Sequence, residues 1–184
     1  MALAETTDLK LGFEAPNFNL PDTVSGKNLG LNDVAGENGT LVIFICNHCP
    51  YVVHVIHKLI ELGGEYSTKG VGMVAISSND AENYPDDGPG KMKDKAEELA
   101  FPFPYLYDET QEVAKSYDAA CTPDFALFDE NRRCVYRGRL DGSTPGNGVP
   151  VSGADLEEAI QRVIRKEPQS KIQHPSMGCN IKWK

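Results

Sequence analysis

The chain has 184 residues, 40% of them hydrophobic and 24% charged, enough apolar material for one globular domain with a sizeable core. Its net charge of −9 argues against nucleic acid and against an anionic membrane surface as partners. No apolar run approaches the roughly 20 residues that a membrane span needs.

The segment Met1 to Lys10 has neither a basic stretch nor an apolar h-region, so no secretory signal is expected there and a cytoplasmic location is. Residues 1–16 read as a loose lead-in to a single domain spanning 1–184. Phe18 and Leu20 alternate with Asn17 and Asn19 as in a short strand. Pro21-Asp22 and Ser25-Gly26 mark turns, and Leu29 and Leu31 suggest a second short strand. After a loop from Gly36 to Gly39, Thr40 to Ile45 has the composition of a buried central strand. Pro50 opens the first long helix, with Val52, Val53, Ile56, Leu59 and Ile60 at helical spacing and Gly63-Gly64 as its expected end.

Val71 to Ser77 is a second core strand. Ser78 to Gly90 is polar, holds two prolines and reads as a loop insertion. Lys91 to Leu99 is a short charged helix, its Lys91, Lys93 and Lys95 facing solvent. Phe103 to Tyr107 is extended, with Tyr105 and Tyr107 as strand packing. Asp108 with Gln111 resembles a capping box for a helix ending near Tyr117. Phe125 to Phe128 and Cys134 to Arg137 flank Asp129-Glu130-Asn131 as a hairpin. Residues 138–151 form a long loop, and Ser152 with Asp155 caps a last helix through about Arg165. The tail from Glu167 to Lys184 has little periodicity, although Trp183 beside Ile181 suggests that it docks on apolar surface. This order implies an α/β fold, a mixed sheet between helices, with a parallel pair joined by a right-handed crossover and an antiparallel hairpin at the other end.

Cys46-Asn47-His48-Cys49-Pro50 places two thiols three residues apart where the central strand gives way to the helix. A thiol at a helix N-terminus meets the positive end of the macrodipole and unpaired backbone N–H groups, which favour the thiolate, the nucleophile of disulfide exchange. Proline is favoured at the first helical position, which makes Cys49 the N-cap and the favoured nucleophile, with Cys46 as its partner. His48, between them, either stabilises a thiolate and shuttles a proton or is a solvated loop histidine. His54 and His57 are assigned no role. Five cysteines do not make a disulfide scaffold in a chain of this size, and in a reducing compartment a close pair points to catalysis or metal binding. Cys134 reads as a core residue, Cys121 as space-filling or a neighbour of the pair. Cys179 reads as a surface thiol or one that folds back towards Cys49.

Cys46-Asn47-His48-Cys49-Pro50-Tyr51 after the first core strand, with Thr122-Pro123 before the hairpin, resembles the thioredoxin superfamily. Gly12 to Pro21, Asn47 to Val52 and the tail Gly178 to Trp183 are similar to its peroxiredoxin-like branch, the alkyl hydroperoxide reductase and thiol-specific antioxidant redoxins, and to a bacterial subgroup of it. The resemblance covers nearly the whole chain and implies a thioredoxin-like three-layer fold. It implies that Pro123 follows a cis bond facing the redox pair and offers backbone groups to an incoming disulfide-bearing peptide. Two departures stand out. Val52 occupies the place of the second thioredoxin cysteine, and Cys46 stands where peroxiredoxins carry threonine or serine three residues before the reactive thiol. Arg137 or Arg139 would have to supply the guanidinium of a peroxidase.

Three functions follow. The leading one is a thiol–disulfide oxidoreductase acting on protein or small-molecule disulfides and restored by a thioredoxin-type donor. The second is a thiol peroxidase with an antioxidant role, in which Cys49 passes through sulfenic acid and Cys46, Cys121 or Cys179 resolves it. The third is a copper or zinc module built on the cysteine pair with His48, His57 or His174. Neither a cofactor nor a resident metal is expected for the first two.

Overall fold

A computed structural model describes residues 2–8 and 10–184. The expectations for Met1 and Leu9 lie outside the described residues. The strands are β1 (Leu3–Glu5), β2 (Asn19–Pro21), β3 (Asn28–Gly30), β4 (Gly39–Phe44), β5 (Val71–Ser77), β6 (Tyr105–Tyr107), β7 (Cys121–Thr122), β8 (Asp124–Asp129), β9 (Cys134–Tyr136) and β10 (Met177–Asn180). The helices are α1 (Leu31–Val34), α2 (Pro50–Ser67), α3 (Pro89–Glu98), α4 (Glu112–Ser116) and α5 (Ala154–Arg165).

The central sheet runs in the order β6-β5-β4-β8-β9. β4 pairs in parallel with β5 and antiparallel with β8, so α2 is the crossover of a βαβ unit and the β8–β9 hairpin completes a mixed sheet. Every residue of β4 is buried, as its unbroken apolar run requires of a strand covered on both faces. Its side chains alternate accordingly. Leu41 and Ile43 pack with Leu59 of α2, Met92 of α3 and Ile160 of α5. Val42 and Phe44 pack on the opposite face with Phe18, Leu31 of α1 and Tyr117 after α4. Helices therefore cover both faces of the sheet. Among the described residues no helix is long and apolar enough to cross a membrane.

Several local expectations are corrected. Leu31 opens α1 instead of extending a strand, and the Asp33 carboxylate accepts the Gly30 N–H at 2.7 Å. α2 continues through Gly63-Gly64 to Ser67. Gly63 serves packing: a Cβ there would come within 2.6 Å of the Phe103 ring, whereas one on Gly64 would meet open space. The loop after β5 carries a helical turn at Pro85–Asp87, and Pro89 starts α3 ahead of the expected Lys91.

No capping box forms between Asp108 and Gln111. The Asp108 carboxylate accepts the Ala114 N–H, while the Gln111 amide donates to the carbonyls of Ser78 and Lys182. Nor does Ser152 cap α5 with Asp155. Asp141 accepts the N–H groups of Ser152 and Gly153, both at 2.6 Å, and Asp155 pairs with Arg139. The largest correction concerns the ends. The lead-in and the tail form a second sheet in the order β1-β10-β7, which is invisible to periodicity because each strand is two to four residues long.

The two adjacent glycines of α2 are expected to respond in opposite directions. Gly63→Ala overpacks Phe103 and costs about 1–3 kcal/mol, whereas Gly64→Ala gains about 0.5–1 kcal/mol of helix stability. Urea unfolding of the two variants measures both.

Candidate functional site

β4 ends at Phe44, and the buried residues Ile45 and Cys46 carry the chain to α2. Cys49 is the N-cap of α2 with extended backbone angles, and Pro50 takes the first helical position. The Cys49 carbonyl accepts the N–H groups of Val52 and Val53, each at 3.0 Å. The Thr122–Pro123 peptide is cis and lies across from this turn. The Thr122 carbonyl is 3.1 Å from Cys49 Sγ, and the Thr122 hydroxyl is 3.5 Å from Cys46 Sγ.

No disulfide joins Cys46 and Cys49. The Cys46 thiol instead donates to the Cys49 sulfur, and this is the main reason that Cys49 is held well below the usual thiol range. Cys179, Thr122 and the Val52 N–H add to it, while burial opposes it. The Thr122 carbonyl also favours the protonated thiol, but the donors outnumber it. Cys46 moves the opposite way. Its hydrogen bond to Cys49, its burial and the negative charge of Asp87 push its thiol far up, so it stays protonated and remains a donor. The two titrations are driven apart, as in sites that separate a nucleophile from its proton donor.

Asp87 is the residue that motif reading misses. It lies in the polar loop between β5 and α3, fully buried, 38 positions from Cys49. Its carboxylate accepts the Asn47 N–H at 2.8 Å, the Asn79 amide at 2.8 Å and the His48 N–H at 3.3 Å, and it pairs with His48 Nδ1 at 2.5 Å. His48 also stacks on Tyr84, with ring centroids 5.5 Å apart, and Lys182 Nζ lies 5.8 Å from the other ring partner's centroid, that of Tyr84. His48 is therefore clamped beside the pair. The one available signal was Asp86-Asp87-Gly88, which reads as turn chemistry.

The other cysteines separate clearly. Cys121 Sγ faces the Pro123 carbonyl at 3.4 Å, fully buried, and burial pushes its thiol up. Cys134 packs in the core on the far face of the sheet. Cys179, in β10, has its sulfur 2.7 Å from Cys49 Sγ. The Cys49 side chain is fully covered, and Cys179 is part of that cover. A hollow of about 100 Å³ next to the site is lined by Cys46, Val52, Val53, Ile56 and Phe101. A larger one of about 220 Å³ reaches Tyr51 and Pro123 but none of the sulfurs.

The guanidiniums named by the sequence are engaged elsewhere. Arg137 donates to the carbonyls of Tyr117 and Asp118 and pairs with Asp124, and Arg139 pairs with Asp155. Of the histidines offered for a metal, His57 lines the smaller hollow and His174 borders the larger one, and neither joins a cluster of donor atoms among the described residues. His54, assigned no role, bonds to Ser143 at 2.7 Å. Cys46, His48 and Asp87 do bring three potential donor atoms within 4.8 Å of one another. Only one of the two motif thiols belongs to this cluster, and binding a metal there would release the Cys46 proton.

Comparison with known proteins agrees with this geometry. The Redoxin family model matches residues 10–156. The crystal structure of an uncharacterized conserved protein from Geobacillus kaustophilus is similar at 53% identity and a TM-score of 0.98, covering 100% of this chain and 97% of that one. The thiol-disulfide oxidoreductase ResA of Halalkalibacterium halodurans is 24% identical over 132 residues, 72% of this chain and 70% of that protein. A Mycobacterium tuberculosis protein named as a peroxiredoxin is 27% identical over 117 residues, 64% of this chain and 69% of that protein. With its thioredoxin-like sheet, its cis-proline loop and a family match over most of its length, the chain belongs to the Redoxin family.

Proposed function

We propose that the protein is a thiol–disulfide oxidoreductase whose nucleophile is Cys49. The observation that carries this reading is Cys49 at the N-cap of α2, its sulfur 2.7 Å from a second thiol, that of Cys179, and opposite the cis Thr122–Pro123 bond, in surroundings that favour its thiolate. The thiolate attacks one sulfur of a substrate disulfide, forms a mixed disulfide and expels the other sulfur as a thiolate. A second thiol of the protein then attacks the Cys49 sulfur, and a thioredoxin-type dithiol restores the reduced pair. In this scheme His48, its ring held by Asp87 near Cys46, gives a proton to the departing thiolate. Thr122 and Pro123 shape the wall opposite the sulfurs.

The peroxidase reading draws on the peroxiredoxin relative. The geometry supports it less, because Arg137 and Arg139 are both bound to carboxylates away from the pair. The copper or zinc reading is supported least, since the donor atoms that converge, on Cys46, His48 and Asp87, include only one of the two paired thiols.

Cys49→Ser is expected to abolish disulfide reduction, measured with a small aromatic disulfide, and retained turnover would refute the assignment. The thiolate of Cys49 is lost only as pH falls through its depressed pKa. Its alkylation rate is therefore expected to stay level from about pH 8 to pH 6, over which an ordinary thiol near 8.5 slows by about a hundredfold. Cys46→Ala removes the principal donor and is expected to move that profile to higher pH. Hydrogen peroxide is expected to oxidise Cys49 no faster than free cysteine; a much faster rate would favour the peroxidase.

A further inference from the structure

We propose that Cys179 is the sulfur that resolves Cys49, so that the oxidised protein carries a Cys49–Cys179 disulfide stapling its C-terminal strand to the N-terminus of α2. This rests on the Cys49 chemistry proposed above and names its second thiol. The two sulfurs are 2.7 Å apart, within an ångström of the bonded distance of about 2.05 Å.

The fold holds Cys179 there from both sides and both ends. β10 is the middle strand of its sheet, with Cys179 opposite Leu3 on β1 and opposite Thr122 on β7. Before it, the Ser176 hydroxyl donates to the Pro123 carbonyl at 2.7 Å. After it, the Lys182 N–H donates to Asn79 Oδ1 at 2.9 Å, and the Lys182 carbonyl accepts from Gln111 at 2.8 Å. Gly178 lets the strand come this close, because a Cβ there would lie 2.0 Å from the Thr122 carbonyl oxygen. A thiol fixed in this way acts at high effective concentration.

The charge on Cys49 gates the attack by Cys179. Burial first, and then the hydrogen bond to Cys49 and its charge, push the Cys179 thiol up to about 12, with Lys182 pulling the other way. Once Cys49 enters a mixed disulfide its negative charge is gone, and the pressure on Cys179 eases. Cys46 is eased in the same way, since its hydrogen bond to Cys49 is the first cause of its shift, so the choice between the two thiols rests on the 2.7 Å contact and on the strand that holds Cys179 in it.

The sequence of bonds is balanced with a low-molecular-weight disulfide, R–S–S–R, as oxidant. The Cys49 thiolate attacks one sulfur, the R–S–S–R bond breaks, and one RS⁻ leaves and takes up a proton. Cys179 gives up its proton and attacks the Cys49 sulfur. The Cys49–Cys179 bond forms, and the second RS⁻ leaves and is protonated. Two electrons pass from the protein thiols to the substrate.

Oxidation with bis(2-hydroxyethyl) disulfide, followed by tryptic digestion without reduction, tests this. Trypsin separates residues 28–58, which hold Cys46 and Cys49, from residues 172–182, which hold Cys179. The expected product is a cross-link between these peptides, retained in Cys46→Ala and lost in Cys179→Ala. Gly178→Ala keeps every sulfur but forces β10 away by about an ångström, and is expected to slow closure about a hundredfold. A Cys46–Cys49 bond with Cys179 still a thiol, or unchanged closure in Gly178→Ala, overturns the assignment of Cys179 and leaves the oxidoreductase standing. No disulfide at Cys49, together with unimpaired probe reduction by Cys49→Ser, overturns both.

Discussion

A negative charge on a buried sulfur survives only where hydrogen-bond donors replace the water it has lost, and the region around Cys49 is organised by that requirement. The donor that matters most is Cys46, and it donates because it is itself kept from ionising. Asp87 supplies part of that restraint, so one buried carboxylate helps to create a thiolate on a neighbour that it does not touch. Two identical side chains three residues apart thus acquire opposite chemical characters from their surroundings.

The same carboxylate organises the loop between the sulfurs. It takes the N–H groups of Asn47 and His48, the His48 ring and the Asn79 amide. Asn79 in turn accepts the backbone N–H of Lys182. The segment after β5, the turn before α2 and the C-terminal tail therefore belong to one polar network, and Tyr84 lies between the His48 ring and the Lys182 ammonium. An insertion that composition marks as a solvated loop is in fact the wall of the site, because its acidic and amide side chains satisfy backbone donors that would otherwise be buried unpaired.

The tail changes what the Cys-x-x-Cys motif means in this chain. In the motif alone, Cys49 has one neighbour, Cys46. In the fold it lies between two sulfurs, with β10 occupying the edge of β7 beside Thr122. Cys49 and Cys179 both belong to the core cluster that holds Leu41, Ile43 and Leu59, so β10 covers Cys49 as a continuation of that core.

Much of the fold is legible in the chain itself. The apolar runs of β4 and β8 and the helical spacing after Pro50 are local patterns dictated by burial, and they place Cys49 at a helix N-cap without reference to anything distant. What the sequence by itself determined was the α/β order, the thioredoxin-like frame and the position of the two motif thiols on it. Only the tertiary structure decided which side chains surround the Cys49 sulfur and which sulfurs meet. Those outcomes depend on Asp87 arriving from 38 residues away and on Cys179 from 130, and on a tail strand too short to leave a periodic trace. Hydrogen bonds and charges act over a few ångströms in space, so residues far apart in the chain carry no local mark of the partners they will have.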